Sequence, residues 1–391
     1  MRVLFLSRWL PYPPNNGTKL RVWDLLRGLS RDHDITLLTF AEESESGLGT
    51  AELRSLCREV VVVPWKGFEP ASLKSRLGFL SPTPRSLVDT YSVAMAREVG
   101  ARLRAGSFDR VIASQLGTAI YSHCFAGVPA LFEEVELGLL RGERSGVGSP
   151  LLRLRRGLTW AKHRRFLAGL LHQYRGCTVV SSRERDLVAE VAPGFEPIEV
   201  IPNCVDVASY DGAEWAARPG EIVYTGSFRY FANHRAMVWF TGEVLPLVAA
   251  AVPDTHLTIT GDPAGKSLPN MRNVTLAGLV DDIRPVVGGA TVCVAPLLDG
   301  GGTRLKILEA MALRTPVVAT TKGAEGLDAR DGEHLLIADT PGAFADAVIR
   351  VLRTPELRRR LSDNAYQLVR GQYDWAGVMP RFLDLVDRIG H

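Results

Sequence analysis

The stretch TVCVAPLLDGGGTRLKILEAMALRTPVVA, residues 291–319, decides the fold. Residues 291–295 are a short apolar run of the buried-strand kind. A loop carrying Gly300, Gly301 and Gly302 follows Ala295-Pro296 and opens through Thr303 onto a helix reaching about Leu313; residues 316–319 predict the next strand. Strand, loop, helix and strand in this order form one unit of a parallel sheet. Three glycines let backbone N–H groups approach a ligand closely and allow positive φ. The helix start adds unpaired N–H donors and about half a positive charge, which suits an anion such as phosphate. Arg304 and Lys306 bring full positive charge to the same end, where cations oppose the helix dipole unless an anion is near. That conflict argues for a bound diphosphate. Glu309 lies further into the helix and can accept hydrogen bonds from hydroxyls.

Working outward, the same alternation fills the chain. Strands are predicted at 221–225, 257–260 and 274–276, with helices over about 234–251 and 281–288. The first half shows strand-like runs at 2–7, 35–40, 60–63, 110–113, 130–132 and 178–181. A Pro-rich loop (residues 11–17) precedes a helix that Thr18 is placed to cap and that ends near Ser30. The expected fold class is α/β: two Rossmann-like, doubly wound domains facing across a cleft, where ligands of such folds bind. The boundaries read as 1–205 for the first domain and 206–374 for the second. Residues 355–370 read as a charged helix, and the apolar segment 375–391 as a last helix docking onto the first domain.

The 391 residues are 46% hydrophobic and 23% charged, which excludes a disordered chain, a collagen-like chain and a small disulfide scaffold. No apolar run approaches the roughly 18 residues of a spanning helix, and residues 1–6 are too short for a signal-peptide core. The five cysteines lack CxxC spacing and read as free thiols. A cytoplasmic protein is the expectation. Residues 1–200 hold 27 Lys+Arg against 21 Asp+Glu, while the remainder holds 19 against 22. The segment 141–165 concentrates eight basic residues against one acid, Glu143. Leu151, Leu154 and Leu158 recur there at helical spacing, so the segment reads either as a core helix with a solvated charged face or as a surface for anionic membrane. Nucleic acid is not expected, because no aromatic interleaving accompanies the charge.

Other motifs fail on chemistry. Residues 261–267 (GDPAGKS) are one residue short of a P-loop, and Pro269 blocks the helix a P-loop needs. No GxGxxG follows a predicted strand. Asp32-His33-Asp34 sits in a helix-to-strand turn, and the eight histidines show no zinc-like pairing. No metal site is expected.

The sequence resembles the GT-B fold, family 4 ("group 1") glycosyltransferases. The resemblance rests on the first forty residues with Asn16-Gly17-Thr18 and Arg21, on Ile201-Pro202-Asn203-Cys204-Val205-Asp206, and on Tyr224-Thr225-Gly226-Ser227-Phe228. It continues through Ile259-Thr260-Gly261-Asp262, Leu308-Glu309-Ala310-Met311-Ala312, Pro316-Val317-Val318-Ala319-Thr320 and Gly323-Ala324-Glu325-Gly326-Leu327. It implies a retaining transferase that needs no metal or cofactor. The second domain would hold a nucleotide-diphosphate sugar (UDP-, GDP- or TDP-linked) and the first a hydroxyl acceptor, lipid-linked or small. Glu309 would bind the donor ribose, and Arg229 and Lys306, with Arg304 beside them, the diphosphate. Gly17, Gly226, Gly300, Gly301, Gly302 and Thr303 would line the donor. Asn16, Thr18, Glu133 and Glu134 would lie on the acceptor and sugar side. A peripheral place on the inner face of a membrane is compatible with the basic segment.

The chain departs from the family pattern at informative points. Gly301 stands where the family's usual first Glu of E-x7-E falls, and Asn233-His234 stands where its loop Lys lies. Glu133 stands where a histidine is frequent. Two other functions remain open on these departures: a UDP-sugar 2-epimerase-like isomerase and a catalytically silent nucleotide-binding subunit.

Overall fold

A computed structural model describes residues 1–42, 49–138, 150–211, 215–268, 273–300 and 304–390. The chain divides into two compact units, Met1–Pro202 with Met379–His391, and Asn203–Val378.

In the first unit seven strands form one sheet: β1 (Arg2–Ser7), β2 (Asp34–Ala41), β3 (Glu59–Pro64), β4 (Arg110–Ser114), β5 (Ala130–Glu133), β6 (Gly176–Val179) and β7 (Ile198–Val200). Their order is β3-β2-β1-β4-β5-β6-β7, and the pairs are parallel, Leu4 lying opposite Thr36 on one side and Val111 on the other. Val3, Leu4, Phe5 and Leu6 are fully buried, as expected of a central parallel strand covered on both faces. At the edge, β3 leaves Val62 partly in solvent. The winding reverses between β1 and β4, which makes their carboxyl ends the switch point.

The second unit repeats the architecture with β8 (Glu221–Thr225), β9 (His256–Thr260), β10 (Val274–Gly278), β11 (Val292–Ala295), β12 (Val317–Ala319) and β13 (Leu336–Ile337), in the order β10-β9-β8-β11-β12-β13. Its switch point lies between β8 and β11. One core, with Phe240, Val244, Phe344 and Val348, covers one part of this sheet. A second, with Ile307, Leu308, Met311 and Val369, seats the helix Leu305–Ala312. That helix is held by apolar side chains, so its polar residues are available for other work.

Local chemistry corrects several expectations. The first helix spans Gly17–Leu29 and is capped by Asn16, not Thr18. Asn16 is extended, and its Oδ1 accepts the Lys19 N–H at 3.0 Å, while Thr18 is already helical. β6 begins two residues earlier than predicted, because Ser181 caps the helix Ser182–Val191. The helix foreseen over 234–251 runs from Phe231 to Ala251 with a π turn at Phe240–Val244. The final helix, Trp375–Arg388, contributes Phe382, Leu385 and Val386 to the interior, and its Arg381 donates to Glu199 Oε1 at 2.9 Å. Among the described residues no helix is long and apolar enough to cross a membrane. Residues 141–149 of the basic segment lie outside the described residues.

One polar pair ties the first unit together. Arg21 Nε donates to Glu133 Oε1 at 2.7 Å, Arg21 Nη1 donates to the Pro202 carbonyl at 3.0 Å, and Ser114 Oγ donates to Glu133 Oε2 at 2.6 Å. Both charged side chains are essentially without solvent. Removing one partner strands the other, so Arg21→Met should destabilise this unit by about 3–5 kcal/mol. The readout is a lower denaturant midpoint at unchanged slope. The double variant Arg21→Met, Glu133→Gln should regain much of the loss. A single variant as stable as the parent would rule the pair out as a structural tie.

Candidate active site

At the switch point of the second sheet, β8 runs into Gly226 and β11 into the loop that ends at Gly300. Gly226 has φ +148°, and a Cβ there would lie 2.8 Å from both Asn233 Nδ2 and Lys306 Nζ. No side chain fits, so backbone and lysine share the position. Asn233 Oδ1 accepts from the Tyr224 hydroxyl at 2.7 Å and from Lys306 Nζ at 3.1 Å, while its Nδ2 donates to the Ser227 carbonyl. The Lys306 ammonium stands 3.9 Å from the centre of the Tyr224 ring, a cation–π contact. Among the described residues these partners of Lys306 are neutral. Burial therefore pulls its pKa down to about 7; Arg304 adds to the shift, while Cys293 and Glu309 oppose it. A half-buried cation with neutral partners is chemically suited to an anion.

Glu309 follows one turn later on the same helix. Burial raises its pKa to about 7, against the opposing influence of Tyr210, whose hydroxyl donates to Oε1 at 3.4 Å, and of Lys306. Arg304, at the helix start, is buried, and its Nη2 donates to the carbonyls of Gly300 at 3.2 Å and Lys322 at 3.4 Å. Its guanidinium shapes the loop. Gly300 has φ +91°, and a Cβ would meet the Tyr230 hydroxyl at 2.2 Å. Gly301, Gly302 and Thr303 lie outside the described residues. Arg229 is exposed and pairs with Asp262, whose carboxyl is held below its ordinary range by the Ala264 N–H and by Arg229. The P-loop-like residues after β9 form turns and no helix.

The first unit's switch point carries a different constellation. Glu133 is fully buried with both oxygens engaged by Arg21 and Ser114, so the expectation that it accepts sugar hydroxyls does not fit its setting. Glu134 is held with φ +58°, and its Oε2 accepts from Gln115 Nε2 at 2.8 Å. Burial lifts its carboxyl to about 8; Arg21 opposes the shift, and Glu133 and Glu136 reinforce it. Gln115 also has positive φ, +68°, and accepts from Trp9 Nε1 at 3.2 Å. Two non-glycine residues in the left-handed region at the ends of adjacent strands are stored strain of the kind found at functional sites. Asn16 is exposed, with Gly17 and Thr18 half-buried in the first helical turn.

The structure thus gathers Gly226, Gly300, Arg304, Lys306 and Glu309 at one sheet end, with Arg229 on the adjoining loop. Sequence reasoning missed Tyr210, Tyr224, Trp9 and Gln115. Tyr210 lies in a stretch without periodicity, and its partner Glu309 is 99 residues away. Among the described residues no group of three or more His, Cys, Asp or Glu is arranged to hold a metal ion.

Residues 219–354 match the family described as Glycosyl transferases group 1. A phosphatidyl-myo-inositol mannosyltransferase of Mycobacterium leprae is 31% identical over 209 residues, 51% of this chain and 55% of that protein. An uncharacterised 44.6 kDa protein from the cps region of Klebsiella pneumoniae is 26% identical over 164 residues, 39% of this chain and 42% of that one. The chain spans about half the length of the curated relatives it matches. Two solved structures share its fold at 15% identity, each with a TM-score of 0.70. One is Anabaena HepE in complex with UDP and glucose, which covers 99% of this chain and 100% of its own. The other is sucrose-phosphate synthase of Thermosynechococcus elongatus, at 100% and 99%. The chain therefore has the two-domain fold of the GT-B glycosyltransferases, and its residues 219–354, which hold Gly226, Gly300, Lys306 and Glu309, are the part that matches the group 1 glycosyltransferases.

Proposed function

We propose that this protein is a retaining glycosyltransferase that moves a sugar from a nucleotide-diphosphate sugar to a hydroxyl acceptor, without a metal ion, in bacterial glycan, polysaccharide or glycolipid assembly. The observation that carries the reading is Lys306, a half-buried cation whose partners among the described residues are neutral, at the switch point of a domain that matches this family. The donor diphosphate takes the place between Gly226 and the start of the Leu305–Ala312 helix. Lys306 and the helix N–H groups stabilise the charge that grows on it as the glycosidic bond breaks. Arg229, released from Asp262, adds a second cation, and Arg304 keeps the loop in shape. Glu309 accepts hydrogen bonds from the ribose hydroxyls. The acceptor hydroxyl attacks from the face the leaving group departs, with the acceptor held by the first domain near Asn16, Gly17, Thr18 and Glu134. The relatives named phosphatidyl-myo-inositol mannosyltransferase support an acceptor borne on lipid, and we place the reaction at the cytoplasmic face of a membrane.

Lys306→Ala should lower turnover by more than about tenfold if the ammonium acts mainly in the transition state; unchanged turnover removes it from the reacting centre. Glu309→Ala should chiefly weaken donor binding, and a defect confined to acceptor KM would refute its ribose role.

The pH dependence follows from two opposed groups. Free Lys306 loses its proton through about pH 7 and a bound diphosphate holds the proton on, so affinity falls as pH rises above 7, by at most about tenfold per unit. Free Glu309 is ionised only above about pH 7, so its hold on ribose weakens as pH falls below 7. UDP affinity by calorimetry should therefore peak near neutrality. Lys306→Gln should lose the alkaline limb and Glu309→Gln the acid limb.

A thermal-shift screen of UDP, GDP, ADP and TDP tests donor recognition, since a ligand at a hundred times its Kd adds about 2.7 kcal/mol of stability. Incubation with the nucleotide sugar alone tests the reaction. Slow hydrolysis is expected. An epimerised sugar would assign an isomerase, and binding without sugar release across all donors a silent subunit.

A further inference from the structure

The first unit has a surface that nucleotide-sugar chemistry does not use. The short helix Leu73–Leu77 and the turn after it hold four large apolar side chains in solvent: Leu73, Leu77, Phe79 and Leu80, the last 89% exposed. Leu73 and Leu77 share one helix face by their i, i+4 spacing. The long helix Pro150–Leu171 leaves Leu154 and Leu158 in solvent as well. Leu154, Leu158, Lys162 and Arg165 fall on one stripe of that helix, and the stripe meets the turn directly. Lys162 Nζ donates to the Gly78 carbonyl at 2.7 Å, and a cavity of about 590 Å³ lies between them, lined by Phe79, Lys162, Arg165, Phe166 and Leu170. Leu158 and Leu154 sit one and two turns before Lys162, about 6 and 12 Å along the axis. The six exposed apolar side chains therefore border one basic seam.

The charge around them is mostly positive, although Asp89 accepts from Ser72, the cap of the Leu73–Leu77 helix, and from the Glu69 N–H. Residues 66–85 carry four cations (Lys66, Lys74, Arg76 and Arg85) and one acid, Glu69, which pairs with Lys66. The helix Pro150–Leu171 carries six cations and no acid. Arg85 lies over the rings of Phe68 and Phe79, so cation and aromatic edge are presented together. Apolar tips on two segments that together carry ten cations, against the acids Glu69 and Asp89, match an apolar layer beneath a sheet of negative charge.

We propose that this face attaches the protein to an anionic phospholipid bilayer. Residues 73–80 enter the boundary between headgroups and acyl chains, and the cationic helix Pro150–Leu171 lies across the headgroups. The apolar contact shifts from the basic segment itself to the neighbouring turn, which the basic helix steadies through Lys162. The attachment stands apart from sugar transfer, because none of these residues belongs to the donor site.

Co-sedimentation of the whole chain with vesicles tests it. At about 0.1 M salt the chain should bind phosphatidylglycerol–phosphatidylcholine vesicles and not pure phosphatidylcholine. Leu77→Gln with Leu80→Gln, both at exposed positions, should reduce partitioning by at least about tenfold. Arg153→Gln with Arg155→Gln should reduce it by about 25-fold, at roughly fivefold per cation. Each variant should keep the parent's thermal shift with UDP, so a folding defect or a failure of the transferase reading is separated from loss of lipid binding. Absence of binding to the anionic vesicles overturns the proposal, as does a leucine variant that sediments like the parent. So does a parent chain that elutes as a dimer and becomes a monomer in the leucine variant, because the face would then belong to a second copy.

Discussion

A half-buried lysine ammonium that makes no ion pair among the described residues is the constraint around which the second domain is arranged. Lys306 rests on the Tyr224 ring and on the Asn233 amide, both neutral. Each of these supports has its own requirement. Tyr224 is the fourth residue of central strand β8, so its ring is fixed by the sheet. Asn233 bridges Tyr224, Ser227 and Lys306 with both of its side-chain atoms. Gly226 has room for no Cβ beside them. A larger residue at 226 or a carboxylate at 233 would fill the position or neutralise the charge, and the site would lose its demand for an anion.

The two domains use buried charge in opposite ways. In the first, Arg21 pairs with Glu133, and Ser114 and the Pro202 carbonyl bond the same two side chains. Such a pair is costly to break and has little left to offer a ligand. In the second, the cation is left for something outside the protein to satisfy. The strain at Gln115 and Glu134 shows the first domain holding a different kind of readiness. Glu134, kept largely protonated near neutrality, can donate as well as accept a hydrogen bond, which suits hydroxyl recognition.

Much of the fold was legible because parallel strands buried on both faces are written as short apolar runs between helical repeats. Strands of three and two residues, β7 and β13, are too short to carry periodicity. The helix Pro341–Arg353 went unread beside the more conspicuous charged helix that follows it, although Phe344, Val348 and Val351 mark its buried face. Of the proposed donor site, Lys306 and Glu309 could be named from the glycine-rich turn that opens onto a basic helix start, and Gly226 from the family resemblance; the structure brings the three to one sheet end. Asn16 was passed over for Thr18, as both residue types cap helices and only the backbone angle separates them.

By itself, then, the sequence determined the two doubly wound domains, the glycine-rich loop before a helix and the cations at that helix start, since these depend on patterns a few residues long. Tertiary structure alone decided which charges are spent and which remain. Glu133 turned out to be sealed by a residue 112 positions away, Arg304 to be turned onto its own loop, and Lys306 to be left with neutral partners. Burial and pairing arise from groups distant along the chain, so no local pattern can encode them.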